Sequence, residues 1–191
     1  MRGDPQDGRD RHCRKARPGR KRRVRYLDRR AVFRPHAQRF GRHGLFDLTV
    51  HAVGDVEVDA HHTVEDTGIV LGEAFCQALG DKAGITRFAD AAIAMDETLV
   101  MLLLIFRAAD RPTASCPCRP SAWAASIPSW RSSSFYAFAR DAKLTLHVRE
   151  LAGGNSHHII EAAFKAVGRT MRHACELDPR VQGIPSTKGS L

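Results

Sequence analysis

The sequence predicts a mixed α+β fold in which one strand-then-helix unit occurs twice. Two kinds of periodicity carry the prediction. From Leu45 to Ala60 apolar residues alternate, Leu48, Val50 and Ala52 and then Val56 and Val58, around the turn signal Gly54-Asp55. A period of two broken by Gly-Asp is the pattern of a hairpin. His61 to Leu79 changes to helical spacing, with Val64, Ile69, Val70, Ala74, Phe75 and Leu79 on or near one face and Gly80 as the stop. The same succession returns later: Leu144 to Leu151 reads as a strand, Gly153-Gly154 as a turn, and Ser156 to His173 as a helix with Ser156 as its N-cap. Asp178 to Leu191 reads as a loop.

Two stretches lack any such period. Residues 1–43 hold 16 Lys and Arg against 4 Asp, and Pro5, Pro18 and Pro35 interrupt any helix, so composition predicts a disordered basic arm. Residues 107–134 draw 21 of 28 positions from Arg, Ala, Pro and Ser. The net charge of +9 therefore belongs to the N-terminal fifth, and the remaining 148 residues carry −3. A nucleic-acid function read from the global charge would describe that arm alone, through Arg14, Lys15, Arg17, Arg20, Lys21, Arg22, Arg23 and Arg25, with no interleaved aromatics. The rest, within a chain of 191 residues that is 43% hydrophobic, has enough apolar material for a core. Its longest apolar run, Leu99 to Phe106, falls far short of the ~20 residues that span a bilayer. No hydrophobic stretch follows the N-terminal charges, so no secretory signal is expected. Five cysteines without a regular framework point to a reducing, cytoplasmic setting. Cys116-Pro117-Cys118 lacks a second pair at a metal-binding spacing.

The two ordered regions are copies of one unit at a constant offset of 96. Leu48-Thr49-Val50-His51 aligns with Leu144-Thr145-Leu146-His147, and ten residues beyond each histidine stand His61-His62-Thr63-Val64-Glu65 and His157-His158-Ile159-Ile160-Glu161. At a helix start, residues four apart share a face, so one His and the Glu of each motif can converge on a divalent ion. The adjacent His points elsewhere and is free for a second ion. Imidazole with carboxylate suits Mn, Fe, Co or Zn better than Mg or Ca. One HHxxE motif alone would read as surface histidines; two in register favour metal binding. His51 and His147 sit on the strands and read as structural.

These residues resemble the imidazoleglycerol-phosphate dehydratase family of histidine biosynthesis. The resemblance lies in residues 46–75, 84–99 and 143–191, about 95 of the 191, and its specific marks are the two HHxxE motifs, Met95-Asp96-Glu97 and the terminal Pro185-Ser186-Thr187-Lys188-Gly189. It implies an α+β fold of duplicated half-domains, each a small β-sheet covered on one face by helices. It implies loss of water from imidazole glycerol phosphate to give imidazole acetol phosphate, with two Mn(II) ions per subunit holding the imidazole and acting as Lewis acids. His61, His62, Glu65, His157, His158 and Glu161 would be the metal ligands. Glu65, Glu161 and Glu97 would be the catalytic carboxylates, and Asp96 would line the same cleft. Arg87, Ser186, Thr187 and Lys188 would hold the substrate phosphate, with Lys165 and His43 also in contact with substrate. The family's cytoplasmic homo-oligomer, a 24-mer with metals at subunit contacts, would be expected here too, with no nucleic acid or membrane as partner.

The chain departs from that family at its two aperiodic stretches. A segment like TGVPFFDHML is expected before Gly41-Arg42-His43-Gly44, and LAHAAVDLSGR after Met95-Asp96-Glu97-Thr98. Arg29–Phe40 can be written in codons that encode GVPFFDHMLNA in a shifted frame, and Met101–Pro112 in codons that encode HAAVDLSGRGP. Residues 1 to about 41 and about 100 to about 134 thus read as translated out of frame. The expected division is 1–43 as an aberrant basic arm, 44–99 as the first repeat, 100–134 as an aberrant segment and 135–191 as the second repeat. His36 falls near the expected ligand but among the wrong neighbours and is not counted; Arg107 and Arg111 do not replace the missing Arg. With two ligand histidines and some core segments gone, the chain as written is expected to be poorly folded or inactive. The alternatives to the dehydratase are an inactive metal-binding remnant of it and, more remotely, a basic nucleic-acid-binding protein.

Overall fold

Strand β4, Thr98–Phe106, organises the larger sheet because its inward positions Val100, Leu102, Leu104 and Phe106 are all buried. The computed structural model of the chain describes residues 25–27, 34–54, 60–107 and 129–191. The elements preceding β4 are β1 (Arg25–Leu27), α1 (Arg34–Gly44), β2 (Thr49–His51), α2 (His61–Leu79) and β3 (Phe88–Met95). After it come α3 (Ser129–Asp141), β5 (Leu144–Ala152) and α4 (Ser156–Cys175). β3, β4 and β5 form an antiparallel sheet in that order, with Asp90, Leu103 and His147 in one cross-strand row. β1 and β2 pair in parallel as a second, two-stranded sheet.

Alternation decides which face of the larger sheet is covered. α4 packs on β3 and β4. Its residues Ile159, Ile160, Ala163, Phe164, Val167 and Met171 are buried in one core with Leu144, Leu146 and Val148 of β5. α1 packs against α4 and α2 against α3. Small residues set these approaches. A Cβ at Gly168 would lie 2.6 Å from the Phe40 carbonyl, and one at Gly72 would lie 2.8 Å from that of Phe138. An aromatic cluster joins three of the helices: Phe40 of α1 packs edge-on against Phe75 of α2 and Phe138 of α3.

Several expectations meet the structure directly. The α+β class and the helix His61–Leu79 with Gly80 at its end are as read. Its buried face is Val64, Thr67, Gly68, Leu71, Gly72 and Phe75; Ile69 and Val70 are half-buried, since small residues let α3 come close on their own face. The strand from Leu144 runs one residue further, to Ala152. The cap of α4 is Asn155, whose Oδ1 accepts from the His157 backbone N–H at 2.9 Å, so Ser156 is the first helical residue. β2 pairs with β1, and the second arm of the hairpin expected over Leu45–Ala60 falls on residues 55–59, outside the described ones. The termini of the helices keep the offset of the repeat. Adding 96 to α2 gives 157–175, within α4, and adding it to α1 gives 130–140, within α3.

The expected losses of core are corrected. The boundary drawn after residue 43 falls in the last turn of α1, and that after 99 falls inside β4. Residues 34–44 form a helix whose Ala37 and Phe40 are buried. Pro35 does not break it because the first turn of a helix leaves its N–H groups unbonded anyway. Residues 100–106 supply the middle of the sheet. The remaining expectations for 1–24 and 108–128, among them the basic cluster and Cys116-Pro117-Cys118, lie outside the described residues, as do Trp123 and the side chain of Trp130.

Phe40 separates a packed α1 from a loose arm. Phe40→Ala should destabilise the chain by about 3–5 kcal/mol, as deletion of a buried ring does. The check is urea unfolding, which should show a lower midpoint at an unchanged slope; an arm would give no shift.

Candidate metal and substrate site

Both HHxxE motifs sit in the first turns of their helices, and the four-residue spacing does what helix geometry requires. His61 Nε2 lies 3.2 Å from Glu65 Oε2, and His157 Nε2 lies 3.5 Å from Glu161 Oε2. The second histidine of each motif is turned about 100° around the axis. His62 is exposed, its ring 5.7 Å from that of His61. His158 meets two carboxylates from another part of the chain.

Those carboxylates occupy the tight turn between β3 and β4, where Asp96 takes φ 49°. Glu97 Oε2 is 2.8 Å from His158 Nδ1, and its Oε1 accepts from the Asn155 backbone N–H and from Thr98 Oγ1, both at 3.1 Å. Asp96 Oδ2 lies 3.7 Å from His158 Nε2. The His158 hydrogen bond, with smaller help from the backbone donors, draws the Glu97 carboxyl down to about 2, and Glu97 in turn raises His158. Asp96, Glu97 and His158 each offer a ligand atom within 4.8 Å of the others. Among the described residues this is the one group of three such side chains that converges. One imidazole and two carboxylates fit Mn, Fe, Co or Zn.

Glu161 is differently placed. It is buried in α4 and held by the Arg39 guanidinium from α1 and by Lys165 Nζ at 2.9 Å. Burial works against its charge, but the hydrogen bonds from Arg39 and Lys165 outweigh it and keep the carboxyl below its ordinary value. Lys165 also reaches Met95 Sδ at 3.8 Å, tying α4 to β3. His43, half-buried on α1, is lowered by burial and then by the nearby charge of Lys165. His36 is 4% exposed, stacked on Phe164 at 5.2 Å, with its ring centroid 6.1 Å from that of His157. Arg39 is thus a site neighbour that sequence reasoning missed, and His36, set aside there as a ligand, lies beside His157. Among its described side chains their helix carries two buried apolar residues, Ala37 and Phe40, to announce it, and the α1–α4 packing brings them to the motif.

Arg87 and the terminal segment come together at the other end of β3. Arg87, at φ 71°, donates from Nη1 to the Pro185 carbonyl at 2.6 Å and from Nε to that of Phe106 at 3.1 Å. Backbone bonds from Gly84 to Gly183 and from Asp178 to Gly84 hold the tail there. Ser186 Oγ accepts from the Lys188 backbone N–H at 3.2 Å, and Thr187 and Lys188 are exposed. At ~3.3 Å per residue, the strand separates Arg87 from Asp96 by about 25–30 Å. One chain therefore does not unite the basic tail with the His158 cluster. Exposed His51 and His147 lie on strands and join neither group.

The fold and donor set define an α+β protein with an imidazole–carboxylate centre at a helix start and a separate basic, hydroxyl-bearing tail. The family model for imidazoleglycerol-phosphate dehydratase matches residues 33–171, and the chain belongs to that family of hydro-lyases. An imidazoleglycerol-phosphate dehydratase of Moorella thermoacetica is 52% identical over 159 residues, covering 78% of this chain and 76% of the relative. That of Kineococcus radiotolerans is 50% identical over 157 residues, covering 79% and 78%. The crystal structure from Pyrococcus furiosus, in complex with (S)-C348, superposes with a TM-score of 0.69 at 28% identity over 90% of this chain and 92% of that one. The Staphylococcus aureus enzyme gives 0.64 at 27% identity, over 82% and 90%.

The His158–Glu97 contact has a defined signature. His158, raised by its partner, favours the folded state fully below pH 6.5 and loses that contribution as pH rises through its own folded pKa. Glu97, lowered, contributes above pH 4.5 and loses it as pH falls towards about 2. In the metal-free protein, Glu97→Gln should move the His158 titration down towards 6.5, read by NMR of the imidazole resonances. An unmoved titration would remove the contact from the site.

Proposed function

We propose that the chain dehydrates imidazole glycerol phosphate to imidazole acetol phosphate in L-histidine biosynthesis, in the cytoplasm, as a manganese-dependent homo-oligomer. The observation that carries this reading is the convergence of Asp96 and Glu97 on His158, in a chain whose relatives bear that activity's name. His61, His62, Glu65, His157, His158 and Glu161 are the metal ligands of the proposal, two Mn(II) per subunit, and the imidazole and carboxylate donors fit that ion. When bound, the metal supplies Lewis-acid stabilisation of the substrate imidazole. Among the chain's own groups, Glu97, kept ionised by His158, is one candidate catalytic carboxylate of the proposal; Glu65 and Glu161 are the other two. Arg87, Ser186, Thr187 and Lys188 are the phosphate-binding set, with Lys165 and His43 as further substrate contacts. The repeats 44–99 and 135–191 are the two half-domains of the reading. Residues 1–41 and 100–134 are its out-of-frame segments. No helix among the described residues is long and apolar enough to cross a membrane.

One observation favours the inactive-remnant reading. The Arg39 guanidinium takes the Glu161 carboxylate that a metal ion would need. The nucleic-acid reading rests on the basic cluster Arg14 to Arg25, of which only Arg25 lies among the described residues, and salt-dependent DNA binding lost on deleting residues 1–43 is what would revive it.

Manganese content and turnover of imidazole glycerol phosphate, measured on this chain beside a version with both frames restored, test the proposal. The restored chain should turn over, and Glu161→Gln in it should lower kcat by about 100-fold or more. Arg87→Ala should raise KM by about 10- to 100-fold, the size of a lost charge-assisted contact. If the restored chain is inactive, the dehydratase reading fails. If this chain alone turns over, the Arg39 contact is no block and the remnant reading falls.

A further inference from the structure

The two histidine–carboxylate pairs are alike in spacing and unlike in surroundings. His61 Nε2 faces Glu65 Oε2 at 3.2 Å and His157 Nε2 faces Glu161 Oε2 at 3.5 Å. Both separations are close to the ~3–3.5 Å that two ligand atoms keep across one ion at ~2.1 Å from each. Glu65 is half-buried, whereas Glu161 is buried. The Glu161 oxygen that His157 faces is also the one in contact with the Arg39 guanidinium, while Lys165 Nζ takes the other oxygen, Oε1, at 2.9 Å. The offset of 96 puts Phe135 of α3 in the place that Arg39 holds on α1, so the repeat does not reproduce this cation in the other half.

Helix packing puts the guanidinium there. Arg39 precedes Phe40, whose backbone lies against Gly168 of α4 and whose ring packs edge-on against Phe75 and Phe138. α1 is therefore held on α4, and Arg39 stays over the start of that helix. A divalent ion brought to Oε2 would meet one positive charge in contact with that oxygen and a second, Lys165, on Oε1. Like charges repel most strongly where burial keeps water out. His157 is exposed, so the obstacle stands at the carboxylate and not at the imidazole. His36, its ring 6.1 Å from that of His157, brings a second imidazole to the same place. We propose that Arg39 is a built-in cation that keeps a divalent ion off the His157–Glu161 pair, so that α1, and not the motif, sets how many ions this chain holds. The metal-binding part of the dehydratase reading, on which this rests, is thereby narrowed: the pair is a latent site, opened by removal of one charge.

Mn(II) titrations of the full chain, followed by electron paramagnetic resonance of the free ion, count the ions held per chain. Arg39→Met should bind one more Mn(II) than the chain as written, the affinity at that position rising by about tenfold or more. Arg39→Gln, which also drops the charge, should do the same and covers a fold that Met alone disturbs; circular dichroism and melting curves check both. His157→Ala should remove no ion from the chain as written, but should remove the added one from Arg39→Met. Lys165→Met should add none, because the oxygen facing His157 stays covered. Equal counts in the chain as written and in both folded Arg39 variants overturn the proposal, as does an added ion that survives His157→Ala. Mn(II) bound elsewhere with no gain at Arg39→Met sinks this proposal alone. A gain there, with a frame-restored chain that does not turn over, sinks the dehydratase reading alone; no Mn(II) in any variant or in the restored chain sinks both.

Discussion

The burial of α4 is the constraint from which the rest of the architecture follows. From Ile159 to Ala174 the helix hides nearly every residue that faces the sheet or α1, and its one buried charge is Glu161. A carboxylate cannot be left unpaired in such a place without a cost of several kcal/mol. Lys165, one turn along, answers it from the same helix, and Arg39 answers it from α1. Helix α1 can come close enough because Gly168 leaves room for the Phe40 backbone. At the very start of α4 the burial gives way, and there Asn155 caps the helix, His157 is exposed and His158 half-exposed. The packing that buries the helix therefore also delivers the two imidazoles to the edge of the molecule.

β4 shows how a strand that is apolar on both faces serves the core. The residues present are Met101-Leu102-Leu103-Leu104-Ile105-Phe106, apolar throughout. A strand tests its two faces separately, because successive side chains point opposite ways. The inward requirement is met by Leu102, Leu104 and Phe106, all buried. The outward requirement, polarity, is the one that fails, and Met101, Leu103 and Ile105 are left on the outer face. One face of β4 thus meets the demands of the core, and the other leaves an apolar strip on the surface.

What could be read in the sequence followed the range of the interactions involved. α2 was legible at both ends because its signals, a polar start, a run of apolar spacing and Gly80, are local. The His61–Glu65 and His157–Glu161 pairings were legible for the same reason, being fixed by one turn of helix. α1 was not: Arg-rich composition hides a helix whose buried apolar residues, among the described side chains, are Ala37 and Phe40, and Pro35 reads as a breaker until it is known to lie in the first turn. The Glu97–His158 contact spans 61 residues and depends on the β3–β4 turn meeting the start of α4. No spacing rule reaches that far. Arg39 escaped notice because a single basic residue in a basic segment carries no signal until α4 supplies a buried acid for it.

The geometry of β3 sets the last condition on function. The strand ties the His158 cluster to one of its ends and Arg87, with the Pro185–Gly189 tail, to the other. A small phosphorylated substrate cannot bridge about 25–30 Å, and a rigid, paired strand cannot be shortened. A site that grips the phosphate with Arg87 and works on the imidazole near Glu97 must therefore take one of these groups from a second copy. Assembly in that case is part of the chemistry: a chain that folds well but fails to associate in the right arrangement would bind each half of its substrate weakly and transform none of it. Its activity would then depend on protein concentration even where its fold did not.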